Sequence, residues 1–132
     1  MTETEVSRSG ERSVSSGDGN EAVLHDHRLL EAALAFAGPE DRPAILAQML
    51  DDLTRIGAVL ADGQPAAQLR AAHELKGLAA TIGAVRLADM AALMQQPQQA
   101  EAARTALCMA MCAQVGQLKQ ELVSFDDSRR AT

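Results

Sequence analysis

Between about residues 22 and 124 the apolar positions recur every three or four residues, which is the spacing of one face of an α-helix. Glycine and proline divide this stretch into five predicted helices, which end at Gly38, at the turn ADGQP, at Gly83, before Pro97 and near Ser124. Neither alternating apolar positions nor clusters of β-branched residues predict a strand. Short polar loops favour antiparallel neighbours. We therefore expect an all-α, up-and-down antiparallel four-helix bundle with an additional N-terminal helix that caps it.

Several helix ends carry local signals. Asp41 followed by Pro43 is typical of a capping residue and a first-turn proline, and Pro65 is well placed to begin the third helix, which should run to Ile82. Gly83 stands where a left-handed residue would end that helix. The fourth helix is expected over about residues 84–95 and the last over about residues 97–124. The core positions expected on the first and last helices are Leu29, Leu30, Ala33, Leu34 and Ala37, and Ala103, Leu107, Ala110, Ala113, Leu118 and Leu122.

The two ends of the chain differ from the middle. Residues 1–20 contain five Ser and three Gly with almost no apolar residues, so they cannot bury enough surface to offset the entropy of ordering them. We expect a disordered N-terminal tail over residues 1–20, a bundle domain over residues 21–125 and a disordered polar tail over residues 126–132.

Composition and charge narrow the class of protein. Hydrophobic residues make up 47% of the chain and aromatic residues only 2%, so the apolar content lies in alanine, leucine and other helix formers. A net charge of −6 argues against nucleic acid or an acidic membrane as a partner. No apolar run is long enough to span a membrane, and the N-terminus lacks the apolar segment of a signal peptide, so we expect a cytoplasmic protein. Cys108 and Cys112 lie one helical turn apart and are expected to be small buried thiols.

His73 is the residue of the third helix that packing does not explain. On a helical wheel it lies nearly opposite the apolar arc formed by Ala72, Leu75, Leu78, Ala79 and Ile82, so we expect it to be exposed. Gly77 lies on the same side, although a glycine inside a helix costs about 1 kcal/mol relative to alanine. Close approach of another molecule would explain it, and Lys76 is one turn away to contact an anionic group on the imidazole. From geometry alone, a phosphoryl-accepting histidine and a surface histidine without a role both stay open.

The stretch AAHELKGLAATIGAVRL resembles the signature of the histidine-containing phosphotransfer (HPt) domain family. The matching residues are His73, Leu75, Lys76, Gly77, Ala79, Ala80 and Gly83, with Leu87 following. The resemblance implies a phosphorelay intermediate in which His73 accepts a phosphoryl group from a phospho-aspartyl receiver domain and transfers it to, or back from, another response-regulator receiver. Lys76 would stabilise the phosphoryl oxygens, and Gly77 would let the receiver come close. The residues expected to contact the partner are Leu69, Arg70, Ala80, Thr81 and Ala84.

The same resemblance implies what the protein binds. Receiver domains and a hybrid histidine kinase are the expected partners, with no nucleic acid and no membrane, and the protein is expected to be a monomer. It should bind no cofactor or metal of its own, because Mg²⁺ belongs to the receiver's acidic pocket. Without a glycine-rich phosphate loop or room for an ATP-binding domain, it is expected to be a phosphocarrier rather than an enzyme.

A helical bundle can serve two other functions. A helical bundle that carries no phosphate can bind a receiver or a histidine kinase and inhibit it by occupancy, although occupancy alone would require neither His73 nor Lys76. A metal site between facing helices is disfavoured because no E-x-x-H motif occurs. His25 and His27 are two residues apart, so on a helix they would point to different faces, and we expect both to be solvated.

Overall fold

The computed structural model of the protein describes residues 23–97 and 99–131, and these residues form five α-helices and no strand. The helices are α1 (His27–Ala37), α2 (Arg42–Asp62), α3 (Pro65–Thr81), α4 (Val85–Leu93) and α5 (Glu101–Ala131). The predicted all-α fold is confirmed. The tail predicted over residues 1–20 lies outside the described residues.

The first two helices begin and end at residues suited to those positions. Asp26 caps α1, because its Oδ1 accepts hydrogen bonds from the backbone N–H groups of Arg28 at 2.8 Å and Leu29 at 3.4 Å. Gly38 ends α1 with a φ of +83°, a conformation that glycine adopts without strain. Pro43 lies in the first turn of α2 as predicted, whereas the Asp41 side chain makes no capping hydrogen bond.

The end of α3 forms a Schellman motif around Gly83. Gly83 has a φ of +74°, its N–H donates to the Ala80 carbonyl at 3.3 Å, and the N–H of Ala84 donates to the Ala79 carbonyl at 2.8 Å. These bonds satisfy carbonyl groups that the helix leaves without partners. The left-handed position predicted for Gly83 is confirmed.

Helices α2 to α5 enclose the main core, with α2 packed against both α3 and α5 and α4 packed against α3 and α5. Each contributes large side chains that are almost fully removed from water. These are Leu53, Ile56 and Leu60 from α2, Leu75 from α3, Leu87 from α4, and Met111, Leu118 and Leu122 from α5. None of the five described helices combines the length and the hydropathy that a bilayer span requires.

Helix α1 covers one end of this bundle. The backbone N–H of Asp26 donates to the Ile82 carbonyl at the end of α3, at 2.9 Å. Glu31 pairs with Arg129 near the end of α5, also at 2.9 Å. Leu30 and Leu34 are buried beneath the helix. The predicted additional N-terminal helix is therefore confirmed, and it contacts α2 as well as the ends of α3 and α5.

The predicted core face of α5 was partly wrong. Leu118 and Leu122 are buried, but Ala103, Ala110 and Ala113 are exposed, and the core receives other residues of this helix instead. These are Cys108, Met111, Val115 and Phe125. Alanine occurs on every side of α5 and is tolerated both in the core and in water, so apolar spacing alone could not select the buried face. On α1, Leu29 is likewise 44% exposed rather than buried.

The predicted bounds of the last two helices were also corrected. Helix α4 ends at Leu93 rather than near Gln95, because the chain turns through bonds such as Gln95 N–H to the Ala92 carbonyl at 3.0 Å. Helix α5 begins at Glu101 rather than at Pro97 and continues through Ala131. The predicted disorder from residue 126 onward was therefore wrong up to Ala131. Phe125 packs into the core, and Arg129 lies over its ring, 5.6 Å from the centroid.

Candidate functional site

His73 lies in the middle of α3 and is exposed, as the helical wheel predicted. The residues on the opposite side of the helix, Ala72, Leu75 and Ala79, have no exposed surface. Their burial fixes the rotation of α3 about its own axis. The imidazole therefore stands on the face that the packing of the bundle leaves open to other molecules.

Lys76 and Gly77, three and four residues after His73, are exposed on the same helix. A β-carbon built on Gly77 would meet no atom of the described chain within 4 Å, apart from its own helix backbone and chain neighbours. The helix runs through this position without interruption, and the Gly77 carbonyl accepts a hydrogen bond from Thr81 Oγ1 at 3.0 Å. Packing inside the protein thus gives no reason for a glycine at residue 77.

Glu74 follows His73 directly and is bound by a cation from the neighbouring helix. Arg55 of α2 donates from Nη1 to Glu74 Oε1 at 3.0 Å and also contacts the second carboxylate oxygen, and it reaches Asp52 Oδ1 at 3.4 Å. The hydrogen bond and charge of Glu74 raise the pKa of the Arg55 guanidinium above its already high ordinary value. Glu74 is the acidic residue closest in sequence to His73, and its pairing with Arg55 reduces the negative charge beside the imidazole.

Sequence reasoning did not identify Arg55. Arg55 and Glu74 are 19 residues apart on different helices, and no motif or spacing indicates that they meet. The pairing depends on how α2 and α3 lie side by side. It therefore becomes visible only in the folded bundle.

Four of the five predicted partner contacts lie on the exposed surface of α3. Leu69 is 42% exposed, and Arg70, Ala80 and Thr81 are exposed as well. Ala84 is the exception and corrects the prediction, since it has no exposed surface at all. Ala84 follows the Schellman turn, where the chain leaves the helix. A helical wheel extended beyond Ile82 therefore placed Ala84 on the exposed side, although it is buried.

A second cluster of titratable side chains lies where the chain enters α1. His25 is only 8% exposed, and its Nδ1 lies 2.7 Å from Glu121 Oε1 of α5. His25 Nε2 lies 3.0 Å from His27 Nδ1. The expected solvation of both histidines was therefore wrong for His25, because α1 begins only at His27 and His25 lies before the helix, with its ring edge-on to the ring of His27. His27 itself is exposed.

Glu121 anchors this cluster through several donors. Its carboxylate accepts hydrogen bonds from the backbone N–H of Leu24 at 2.8 Å and of His25 at 3.2 Å, and from Gln117 Nε2 at 3.1 Å. Burial acts to raise the pKa of Glu121, but the hydrogen bonds from His25, Leu24 and Gln117 outweigh it, so the pKa lies below its ordinary value. Glu121 is ionised at neutral pH.

The two cysteines take the places expected of small apolar side chains. Cys108 is buried, and Cys112 is half-buried with its Sγ 3.3 Å from the Gly57 carbonyl that it donates to. Burial raises the pKa of both thiols, so they are poor nucleophiles at neutral pH. Within residues 23–97 and 99–131, no three or more His, Cys, Asp or Glu side chains are grouped so that they could hold a metal ion.

The fold and the site together define a class of protein: a helical bundle that presents one histidine on the outer face of a core helix. The Hpt domain family model matches residues 42–127, more than half of the chain, so this chain belongs to the Hpt domain family. Domains of this family are phosphocarrier modules that perform histidine phosphotransfer in phosphorelays and interact with receiver domains and kinases. No curated protein and no solved structure matches the chain. The matched segment begins at the first residue of α2, so α1 lies before it.

Proposed function

We propose that His73 accepts a phosphoryl group from a phospho-aspartyl receiver domain and passes it to, or takes it back from, another response-regulator receiver. One observation carries the proposal. A lysine and a glycine lie next to the exposed imidazole, and packing within the protein requires neither of them. Membership of the Hpt domain family supports the same chemistry.

The reaction is a nucleophilic displacement at phosphorus. A lone pair of the His73 imidazole forms the new N–P bond, the P–O bond to the receiver's aspartyl group breaks, and the carboxylate leaves with the electron pair. The Lys76 ammonium neutralises the negative charge on the phosphoryl oxygens, and Mg²⁺ is supplied by the receiver. This chain contributes the nucleophile and one cation, which is the role of a carrier.

The exposed surface of α3 gives the receiver a place to bind. Leu69 offers apolar area one turn before His73, and Arg70 adds positive charge beside it. Ala80 and Thr81 are small and lie beyond Gly77, so the receiver's loops can come close to the helix there. The monomeric state, the lack of a cofactor and the cytoplasmic location stay predictions from the sequence.

Transfer from a phosphorylated receiver tests the proposal. A receiver domain is labelled with radioactive acetyl phosphate and separated from the unreacted acetyl phosphate. It is then mixed with the parent protein, with His73→Gln and with His27→Gln, which removes another exposed histidine. We expect acid-labile, base-stable label in the parent and in His27→Gln and none in His73→Gln. Equal labelling of the parent and His73→Gln would overturn the proposal. Unlabelled parent that still binds the receiver and lowers its phosphotransfer to other partners would establish the occupancy function instead.

Lys76→Gln separates stabilisation of the phosphoryl group from binding. Loss of the ammonium is expected to slow transfer by about a hundred-fold, the lower end of what one preorganised donor contributes in a transition state. Circular dichroism should show the same helix content as the parent. An unchanged transfer rate would exclude Lys76 from the site.

A further inference from the structure

An open groove of about 800 Å³ lies between the start of α1 and the C-terminal half of α5. Its polar lining includes His25, His27, Glu121, Arg28 and Arg129, and none of its lining residues comes from α3. The groove is therefore separate from the His73 surface. When both histidine rings are neutral, the hydrogen bonds within the groove determine which nitrogen of each ring carries the proton.

The protonation of His25 follows from Glu121. The ionised carboxylate of Glu121 can only accept hydrogen bonds, so the proton in the 2.7 Å contact belongs to His25 Nδ1. In the neutral ring, Nε2 of His25 then carries a lone pair. That nitrogen faces His27 Nδ1 at 3.0 Å and can only accept.

The same reasoning extends to His27. Its Nδ1 must donate the proton in the 3.0 Å contact, so the lone pair of the neutral ring lies on Nε2. No hydrogen bond within the described residues engages that nitrogen, and the side chain is exposed. A carboxylate, a buried imidazole and an exposed imidazole thus form a relay that ends in a nucleophilic nitrogen at the surface.

The surroundings of His27 suit an anionic electrophile. Arg28 and Arg129 line the groove, and His27 is the first residue of α1, where the helix dipole favours negative charge. The nearby carboxylates are already engaged: Glu31 pairs with Arg129, and Asp26 accepts from the backbone N–H groups of Arg28 and Leu29. Because Arg129 already pairs with Glu31, the positive charge that can offset an incoming anion in this groove comes from Arg28.

We propose that Nε2 of His27 is a second phosphoryl acceptor, separate from His73, which reacts with small activated phosphoryl donors such as phosphoramidate. The Nε2 lone pair forms an N–P bond, the P–N bond of phosphoramidate breaks, and ammonia leaves. The Nδ1 proton of His27 passes to Nε2 of His25, and the imidazolium formed there is stabilised by Glu121. The product is a neutral Nε2-phosphorylated ring beside a His25–Glu121 ion pair.

Phosphoramidate labelling of His73→Gln tests this proposal without reference to the function of His73. The chain has three histidines, so this variant retains only His25 and His27. Intact mass spectrometry is expected to show one phosphoryl group, and phosphorus NMR is expected to identify the Nε2 isomer. The double variant His73→Gln, His27→Gln should take up none. An unlabelled single variant, or equal labelling of both, would overturn the proposal.

A matched pair of carboxylate variants tests the relay in the same background. Glu121→Gln removes the charge that supports the His25 imidazolium, whereas Glu31→Gln removes the same charge from the same groove without touching His25. We expect labelling about ten-fold or more slower in Glu121→Gln, from the usual size of assisted proton transfer, and no slower in Glu31→Gln. Equal rates would overturn the relay. If Glu121→Gln does not fold, the phosphohistidine isomer tests the relay instead. Formation of Nδ1-phosphohistidine in the His73→Gln protein would contradict the relay, because His25 holds the Nδ1 of His27 in it.

Discussion

Asp26 lies directly against Gly83, so closely that a β-carbon on residue 83 would overlap the β-carbon of Asp26 and approach Leu29 Cδ1 to 2.9 Å. The backbone N–H of Asp26 also donates to the carbonyl of Ile82, at 2.9 Å. The start of α1 therefore packs against the end of α3, the helix that carries His73. The two glycines of the HPt-like stretch have different physical roles: Gly83 is required by contacts within the chain, whereas Gly77 faces open space.

Gly83→Ala is expected to destabilise the protein. Alanine would have to adopt a φ of +74° and push against Asp26, so we expect the free energy of unfolding to fall by about 1–3 kcal/mol. Urea unfolding followed by circular dichroism measures the change. Gly116→Ala is the control, because a β-carbon there meets nothing within 4 Å, and it should be neutral or stabilising. Equal stability of Gly83→Ala and the parent would contradict the close contact.

Gly77→Ala is expected to have the opposite effect on stability. The position is inside α3 and open, so alanine should raise the free energy of unfolding by up to about 1 kcal/mol, as should Gly116→Ala on α5. A larger side chain separates stability from function. Gly77→Gln should slow phosphoryl transfer from a receiver, and Gly116→Gln should not. If both glutamine variants transfer at the rate of the parent, the receiver does not approach residue 77 closely.

Glu121→Gln is expected to change how stability depends on pH. The folded protein holds the pKa of Glu121 below its ordinary value of 4.5, so the ionised carboxylate stabilises the fold above that pH. The contribution is lost as the pH falls through the lower folded pKa. At neutral pH, we expect the variant to be less stable by about 1.5–3 kcal/mol, the usual contribution of hydrogen bonds to a charged group.

The difference between parent and Glu121→Gln should shrink as unfolding is measured at progressively lower pH below 4.5. Lys119→Gln, which changes the charge of the same helix two residues away, serves as the control. A difference that stays constant from neutral to acid pH would show that the carboxylate charge is not what holds Leu24 and His25.

Much of the site could be predicted from residues close together in the chain. The exposure of His73 followed from the apolar arc formed by Leu75 and Ala79, because a helix repeats every 3.6 residues whatever it packs against. The prediction failed at Ala84, where the helix had already ended. It also failed for Ala103, Ala110 and Ala113, because alanine marks no particular face of a helix.

The sequence by itself determined the five helices, their separation by glycine and proline, the left-handed turn at Gly83 and the exposed face that carries His73. Each depends on backbone preferences and periodicity within a few residues. Only the tertiary structure decided that Arg55 binds Glu74, that Glu121 holds His25 from 96 residues away, and that α1 is seated on Gly83. These contacts join separate helices, and the relative placement of helices depends on packing across the whole core rather than on local preference.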